Sequence, residues 1–447
     1  MKRLTYVLLL VAAVLTLNAC REDTTVTQSA PVGPESPTSP TGPTSPATPA
    51  GPTEAVAAAP AAPAPVVGPT AVVNAYNDFA CRFQRTLAAQ DKGKNVFVSP
   101  FSIAVALTMT YNGARGQTAQ AMARTLALEG IPRDAVNQCM HTLTDVLQLS
   151  STGATLAVAN SLWVCDDVQF KPDFIARVRD NYAAELASVN FLAPDTCGRI
   201  NGWVSAKTRD KIRDLVPPPA LNKDTLMVLV NAIYFKGQWD AKFDPAQTRE
   251  REFTNGDGTK SRCKMMEQHG DFAYAQTPLC QAIRLPYVGK RLCMYVFLPA
   301  PDKKLEDLLA ALDPATWQTW RETLHQEKGT IVLPRFRLEY SAELKKPLSQ
   351  LGMAIAFDRD HADFLDMATE EAARGRICIS EVFHKTFVEV NEEGTEAAAA
   401  TAVVMMRVTA VMPERRPFQM VVDRPFLCVI CDEETGAMLF MGAIQTL

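Results

Sequence analysis

Histidine is scarce in this chain. The 447 residues hold five, at 141, 269, 325, 361 and 384, and none lies near another. That leaves little material for acid–base or metal chemistry. Four catalytic and nucleotide-binding signatures are also missing: Gly-x-x-x-x-Gly-Lys, Gly-x-Gly-x-x-Gly, His-Glu-x-x-His and Gly-x-Ser-x-Gly. The expectation is a chain that is not an enzyme and carries no metal or cofactor. Charge of one sign is not in excess. The net charge is -4 with a pI near 5.9, and no long block of like charge occurs, so no nucleic-acid footprint is expected. Beyond the first turn of sequence no apolar run reaches about 18 residues, so no second membrane segment is expected. Eleven Cys are present without zinc-ligand spacing. The one close pair, Cys428 and Cys431, falls in an apolar run that reads as a strand, where residues three apart face opposite sides. Most of the cysteines read as small buried apolar residues. Export would expose them to oxidation, with no pairing fixed by spacing.

What is present begins with an export signal. Lys2 and Arg3 precede an apolar stretch from Leu4 to Leu17, which has signal-peptide length and is short for a membrane span. It ends in Leu17-Asn18-Ala19-Cys20. This tetrapeptide resembles the bacterial lipobox, which implies cleavage after residue 19, lipidation of Cys20 and attachment to a membrane at the cell envelope or extracellular surface. Asn18 departs slightly from the small or apolar residue usual there. Several acyl chains, each stabilising attachment by about 0.8 kcal/mol per buried methylene, hold firmly.

Residues 20–70 then read as a linker. Twelve of the 30 Pro fall between 21 and 70, too many for a packed core. Those at 31, 34, 37, 40, 43, 46, 49 and 52 recur every third residue, the repeat of a polyproline II helix. At roughly 3.1 Å per residue such a segment reaches up to about 150 Å. From 71 to 447 the composition is globular without a break, one large domain. Asn74–Ala89, Ser102–Asn112 and Thr118–Leu128 carry apolar residues at helical spacing, and Ser99-Pro100 reads as a helix start. Leu226–Phe235, Gln281–Leu285, Leu292–Leu298, Gly329–Leu338, Val382–Val390 and Phe426–Cys431 read as strands. Helices first and strands later predict an α+β fold with large antiparallel sheets.

Five motifs in this body resemble one family. Asn95-Val-Phe-Val-Ser-Pro-Phe-Ser-Ile103 with Asn112-Gly-Ala-Arg-Gly-Gln-Thr118 resembles the serpin segment around its second helix. Leu229-Val-Asn-Ala-Ile-Tyr-Phe-Lys-Gly-Gln-Trp239, His384-Lys385, Asn391-Glu-Glu-Gly-Thr-Glu-Ala-Ala-Ala-Ala-Thr401 and Asp423-Arg-Pro-Phe426 with Leu439-Phe-Met-Gly442 follow in family order. The resemblance implies the serpin fold: three β-sheets, eight or nine helices and an exposed reactive-centre loop. It implies an inhibitor of serine-type endopeptidases, with cysteine proteases as a further class, acting as a monomer by loop cleavage, acyl-enzyme trapping and loop insertion. It also implies site roles. Ser99, Ser102, Asn231 and His384 match the shutter, where the central strands part. Trp239 matches the breach above it. Glu392, Gly394, Thr395, Glu396, Ala397, Ala398, Ala399, Ala400 and Thr401 match the hinge.

The hinge also supports this reading on its own chemistry. Thr395, Ala397, Ala399, Thr401, Val403 and Met405 share one face at strand spacing, and that face carries no charge. A central strand of ten or so residues gains roughly 0.5–1.5 kcal/mol per net backbone hydrogen bond, so with side-chain burial insertion releases on the order of 10 kcal/mol. The family spacing from Gly394 places the bait bond between Val408 and Thr409, which implies elastase-like targets. A loop one residue shorter places it between Arg407 and Val408, which implies trypsin-like targets. Met406 is a third candidate. The helical stretch from Ala135 to Leu149 has no Lys or Arg where heparin-binding serpins carry a basic helix, so no polyanion cofactor is expected. The alternative function is a non-inhibitory serpin acting as a binding or chaperone module. Its members carry bulky, charged or proline residues in the hinge, unlike Ala397–Ala400.

Overall fold

The structure, a computed structural model, describes residues 69–148, 154–369, 377–395 and 416–447. Pro69 and Thr70, at the end of the expected linker, already belong to the first helix. Cys20, linker residues 21–68 and loop positions 396–415 lie outside the described residues. With them go the expectations on Glu396 to Thr401, Arg407, Val408 and Thr409.

The amino-terminal half is mainly helical: α1 (Pro69–Gln90), α2 (Pro100–Tyr111), α3 (Gly116–Thr125), α4 (Arg133–Gln148), α5 (Pro172–Tyr182) and α6 (Thr196–Lys207), with strands β1 (Val96–Val98), β2 (Ala154–Cys165) and β3 (Glu185–Val189) between them. The rest is mainly sheet. β4 (Met227–Gln238), β5 (Arg249–Thr254), β6 (Lys260–Gln276), β7 (Cys280–Pro286) and β8 (Leu292–Pro299) precede α7 (Leu305–Ala311) and α8 (Pro314–Thr323). β9 (His325–Pro334), β10 (Phe336–Glu343), α9 (Lys345–Leu348), β11 (Glu381–Asn391), β12 (Gly394–Thr395), β13 (Phe418–Val421), β14 (Phe426–Asp432) and β15 (Met438–Ile444) complete the described residues.

Local chemistry accounts for the helix starts. Pro69, Pro100 and Pro172 open α1, α2 and α5, where a missing N–H is harmless and the fixed φ suits the first turn. Every residue of α2 is buried, including Ser102, Thr108 and Thr110, whose hydroxyls find partners inside the protein.

Six strands form the sheet that matters most, in the order β10-β11-β12-β4-β2-β3, with β11 also pairing β4 directly. The other nine strands divide at β6. One wing holds β5, β9 and β13, and the other holds β7, β8, β14, β15 and β1. Counted with the six-stranded sheet, these are three sheet regions, in keeping with the α+β expectation. The large core lies among the sheets and α1, α2 and α7–α9. A smaller cluster sits where α6 and the segment after it cover the six-stranded sheet, with Ile200, Val204 and Ile212 against Trp163, Tyr234, Phe383 and Phe387.

One expected strand is corrected. Gly329–Leu338 is not continuous: β9 ends at Pro334 and β10 begins at Phe336, and the two belong to different sheets. Pro334 has no N–H to extend a ladder, and Arg335 instead bonds through its N–H to Lys264 O.

Candidate functional site

The site is a fork in the six-stranded sheet. β11 and β4 run parallel and pair from Glu381 opposite Val228 up to Phe387 opposite Tyr234. Above that rank they part. The two residues of β12 sit in the gap. Gly394 pairs with Asn391 and Gln238, and Thr395 pairs with Val390 and Gly237. The chain of β11 therefore turns at Glu392–Glu393 and comes back between its own strand and β4.

The turn is held from both sides. Trp239 donates its backbone N–H to Glu393 O at 3.0 Å and its indole N–H to Asn391 O at 2.9 Å. Phe243 donates its backbone N–H to Glu392 O. Glu392 is only 7% exposed, accepts a 2.7 Å hydrogen bond from the Thr248 hydroxyl and pairs with Arg335 at 3.5 Å. Lys242 pairs with Glu393 at 2.8 Å. Gly394 has φ +149, and a Cβ built there would lie 2.0 Å from Gly237 O, so only glycine fits. Thr395 is fully buried, and its hydroxyl meets that of Tyr287 at 2.8 Å. Tyr287 stacks on Trp239 with ring centroids 4.6 Å apart. Burial raises the Tyr287 pKa far above its usual value, so its hydroxyl stays protonated.

Three ranks below the fork is a polar row in an otherwise apolar sheet. His384 is opposite Asn231, and Asn231 is opposite Asn160 of β2. Ser99 caps α2, accepting from Ser102 N at 3.2 Å and donating to Leu439 O at 2.6 Å. It also donates its own backbone N–H to His384 Nε2 at 3.3 Å. That leaves the imidazole proton on Nδ1, which donates to Asn231 Oδ1 at 2.5 Å. The Asn231 amide donates to Ser102 Oγ at 2.5 Å, to Ser102 O at 3.1 Å and to Asn160 Oδ1. All five side chains are buried. Burial pushes the His384 pKa from 6.5 down to about 3, so the ring is neutral.

The structure thus gathers Ser99, Ser102, Asn231 and His384 into one cluster and places Trp239 beside Glu392, Gly394 and Thr395 at the fork. Sequence reasoning passed over Asn160, Tyr287, Thr248 and Arg335. Asn160 left a trace, a lone amide inside an apolar strand. The other three left none, because only the tertiary fold brings them to the hinge. A cavity of about 260 Å³ borders the cluster through Ser102 and Asn160, with Lys207 in its lining. Among the described residues, Cys165, Asp166 and Asp167 could present three donor atoms to a cation from a turn in which both aspartates are exposed. No helix among the described residues is long and apolar enough to cross a membrane.

A single α+β body whose main sheet is parted at one end by its own chain, above a buried His–Asn–Asn row, defines a class of protein. The family model for serpins, described as serine protease inhibitors, matches residues 74–446, and the chain belongs to that family. It is similar to Serpin B6 of Macaca fascicularis, 37% identical over 84% of this chain and 99% of that protein. It is similar to leukocyte elastase inhibitor of Bos taurus, 36% identical over 82% of this chain and 97% of that one. Human antithrombin-III is 33% identical, over 83% and 80%. Among solved structures, the thermophilic serpin tengpin in its native state aligns with TM-score 0.76 at 27% identity, covering 84% of this chain and 94% of that one. Human thyroxine-binding globulin in complex with thyroxine aligns with TM-score 0.77 at 26% identity, covering 85% of this chain and 99% of that one. Family membership places the chain among inhibitors and their non-inhibitory kin rather than among enzymes.

Proposed function

We propose that this protein inhibits serine-type endopeptidases by offering the loop after Thr395 as bait and inserting it, once cut, between β11 and β4. The observation that carries this reading is the seated hinge. Gly394 and Thr395 already occupy the first two ranks of the new strand, with pairing on both sides. Insertion then extends an existing strand, and each further rank adds backbone hydrogen bonds. Ser99, Ser102, Asn231 and His384, with Asn160, act as the shutter, and Trp239 acts as the breach. The bait bond is Val408–Thr409, with Arg407–Val408 as the alternative. The relative named leukocyte elastase inhibitor supports a serine-protease target. Cys20 carries a lipid, and residues 20–70 hold the inhibitor, a monomer, away from the membrane surface.

The test is incubation with an elastase-like and a trypsin-like protease. The expected product with one of them is an SDS-resistant adduct. Mass spectrometry of its released peptide identifies the cut bond. If both enzymes only nick the loop, the inhibitory reading is lost. A second reading, a binding module, draws on the similarity to thyroxine-binding globulin and on the 260 Å³ cavity. It predicts nicking without an adduct and no gain in heat stability after cleavage.

A further inference from the structure

Ten cysteines lie among the described residues, and none is bonded to another. Two of them face each other. In the antiparallel pairing of β8 with β14, Cys293 is the direct partner of Cys431, in a register unbroken from Leu427 opposite Phe297 to Asp432 opposite Leu292. Directly opposed residues of such a pair point to one face with Cα atoms about 4.5–5.5 Å apart. Glu433 donates its backbone N–H to Arg291 O, so Cys293 and Cys431, two ranks along, form a hydrogen-bonded pair. Such a pair has its Cα atoms about 5.5 Å apart, inside the roughly 4.4–6.8 Å that a disulfide spans, and the Cβ atoms must close to about 3.5–4.5 Å to bridge. Both thiols also have Arg321 and Glu433 as charged neighbours, which agrees with a shared face. Cys428 is not part of this arrangement. It pairs with Val296 on β8 and packs its sulfur against Gly442 of β15.

We propose that Cys293 and Cys431 form an intramolecular disulfide that ties β14 to β8. The chemistry is thiol–disulfide exchange with an oxidant that is itself a disulfide, such as oxidised glutathione. One thiolate attacks the oxidant to give a mixed disulfide and one free thiol. The second thiolate then displaces the other half. Two cysteine thiols are oxidised and lose their protons, and the oxidant leaves as two thiols. Burial pushes the Cys293 thiol up to about 12 and raises Cys431 further, so exchange inside the finished sheet is slow. The bond therefore forms while the chain folds.

The position has a specific consequence. β8 precedes the bait loop and β14 follows it. With the disulfide in place, a chain cut anywhere between 396 and 415 keeps its C-terminal piece covalently. Without it, that piece is held by packing, hydrogen bonds and ion pairs such as Arg291–Asp432 and Arg284–Glu433.

The experiment folds the full chain in a buffer of reduced and oxidised glutathione, alkylates remaining thiols with iodoacetamide and maps the peptides. The expected result is a peptide pair linked through Cys293 and Cys431. Alkylation of both residues, or linkage of either to another cysteine, overturns the proposal. In a second arm the oxidised chain is nicked with trypsin in the loop, at Arg407, Arg415 or Arg416, and run on denaturing gels. The C-terminal piece stays attached without reductant and separates with it, and Cys431→Ala or Cys293→Ala releases it in both. Release from the oxidised wild type without reductant also overturns the proposal. Neither arm depends on trapping a protease, so failure of the inhibitory reading is seen separately.

Discussion

The Tyr287 and Thr395 hydroxyls lie 2.8 Å apart, both fully buried at the fork between β11 and β4. The contact joins the end of β7 to the first seated residue of the loop. Tyr287→Phe keeps the ring on Trp239 and removes the hydroxyl. It leaves Thr395 Oγ1 buried without this partner, at about 1–3 kcal/mol. The expected outcome is a lower unfolding temperature and faster hydrogen exchange across 387–395. Unchanged exchange there would show that the contact does not hold the hinge.

Thr395→Arg puts a charge at a site with no solvent access. An unpaired buried charge is destabilising by several kcal/mol. The hinge then stays outside the sheet, and the cut loop cannot lead into the gap. The adduct with the target protease should fall at least tenfold relative to simple cleavage, read as band intensities on a denaturing gel. A wild-type yield of adduct would sink the insertion step.

Asn160 accepts from the Asn231 amide, and Ser102 Oγ also lies within 3.5 Å of it. Asn160→Ala removes that acceptor and destabilises the closed sheet by about 1–3 kcal/mol. Thermal unfolding should shift down, and mild heating should produce oligomers on native gels sooner than in the wild type.

His384 gives a pH dependence of known sign. Its folded pKa is about 3 against an ordinary 6.5, so the unfolded chain binds the extra proton between those values. Stability is therefore full above pH 6.5 and falls as pH drops through the window, by at most about 1.4 kcal/mol per pH unit for one proton. His384→Gln should flatten this limb. The check is the difference between wild-type and variant transition temperatures at several pH values, in which other carboxylates cancel. An identical slope would remove His384 from the account.

Much of this was readable in the sequence, for a physical reason. A polar side chain inside an apolar strand, such as Asn231 or His384, must have a buried partner. The small residues after Gly394 announce a strand face without charge, and Thr395, the first of that face, is buried. Helix starts were marked by prolines, and α1 extends five residues before Asn74 because Pro69 is an acceptable first residue. What failed was long-range pairing. The run from Gly329 to Leu338 is apolar enough for one strand, and nothing local says that its halves enter different sheets. β2, with Asn160, was not singled out, although its length and apolar content match β4. Tyr287 and Arg335 reach the hinge only through the crossing of β6, β7 and β9, which no local pattern encodes.

The fork also fixes where the rest of the loop would arrive. β12 runs antiparallel to both neighbours, so each step forward in the loop is one step back along β11 and β4. Thr395 is opposite Val390 and Gly237. Six residues further along the same diagonal the loop reaches Thr401, opposite His384 on one side and Asn231 on the other. An advancing strand must therefore break the direct bond between that histidine and that asparagine, and the residue it delivers there is a threonine, whose hydroxyl can both donate and accept. If the proposed insertion occurs, the sheet would lose one hydrogen bond and receive a side chain able to make two. The polar row would then act as a gate that the loop's own threonine can open.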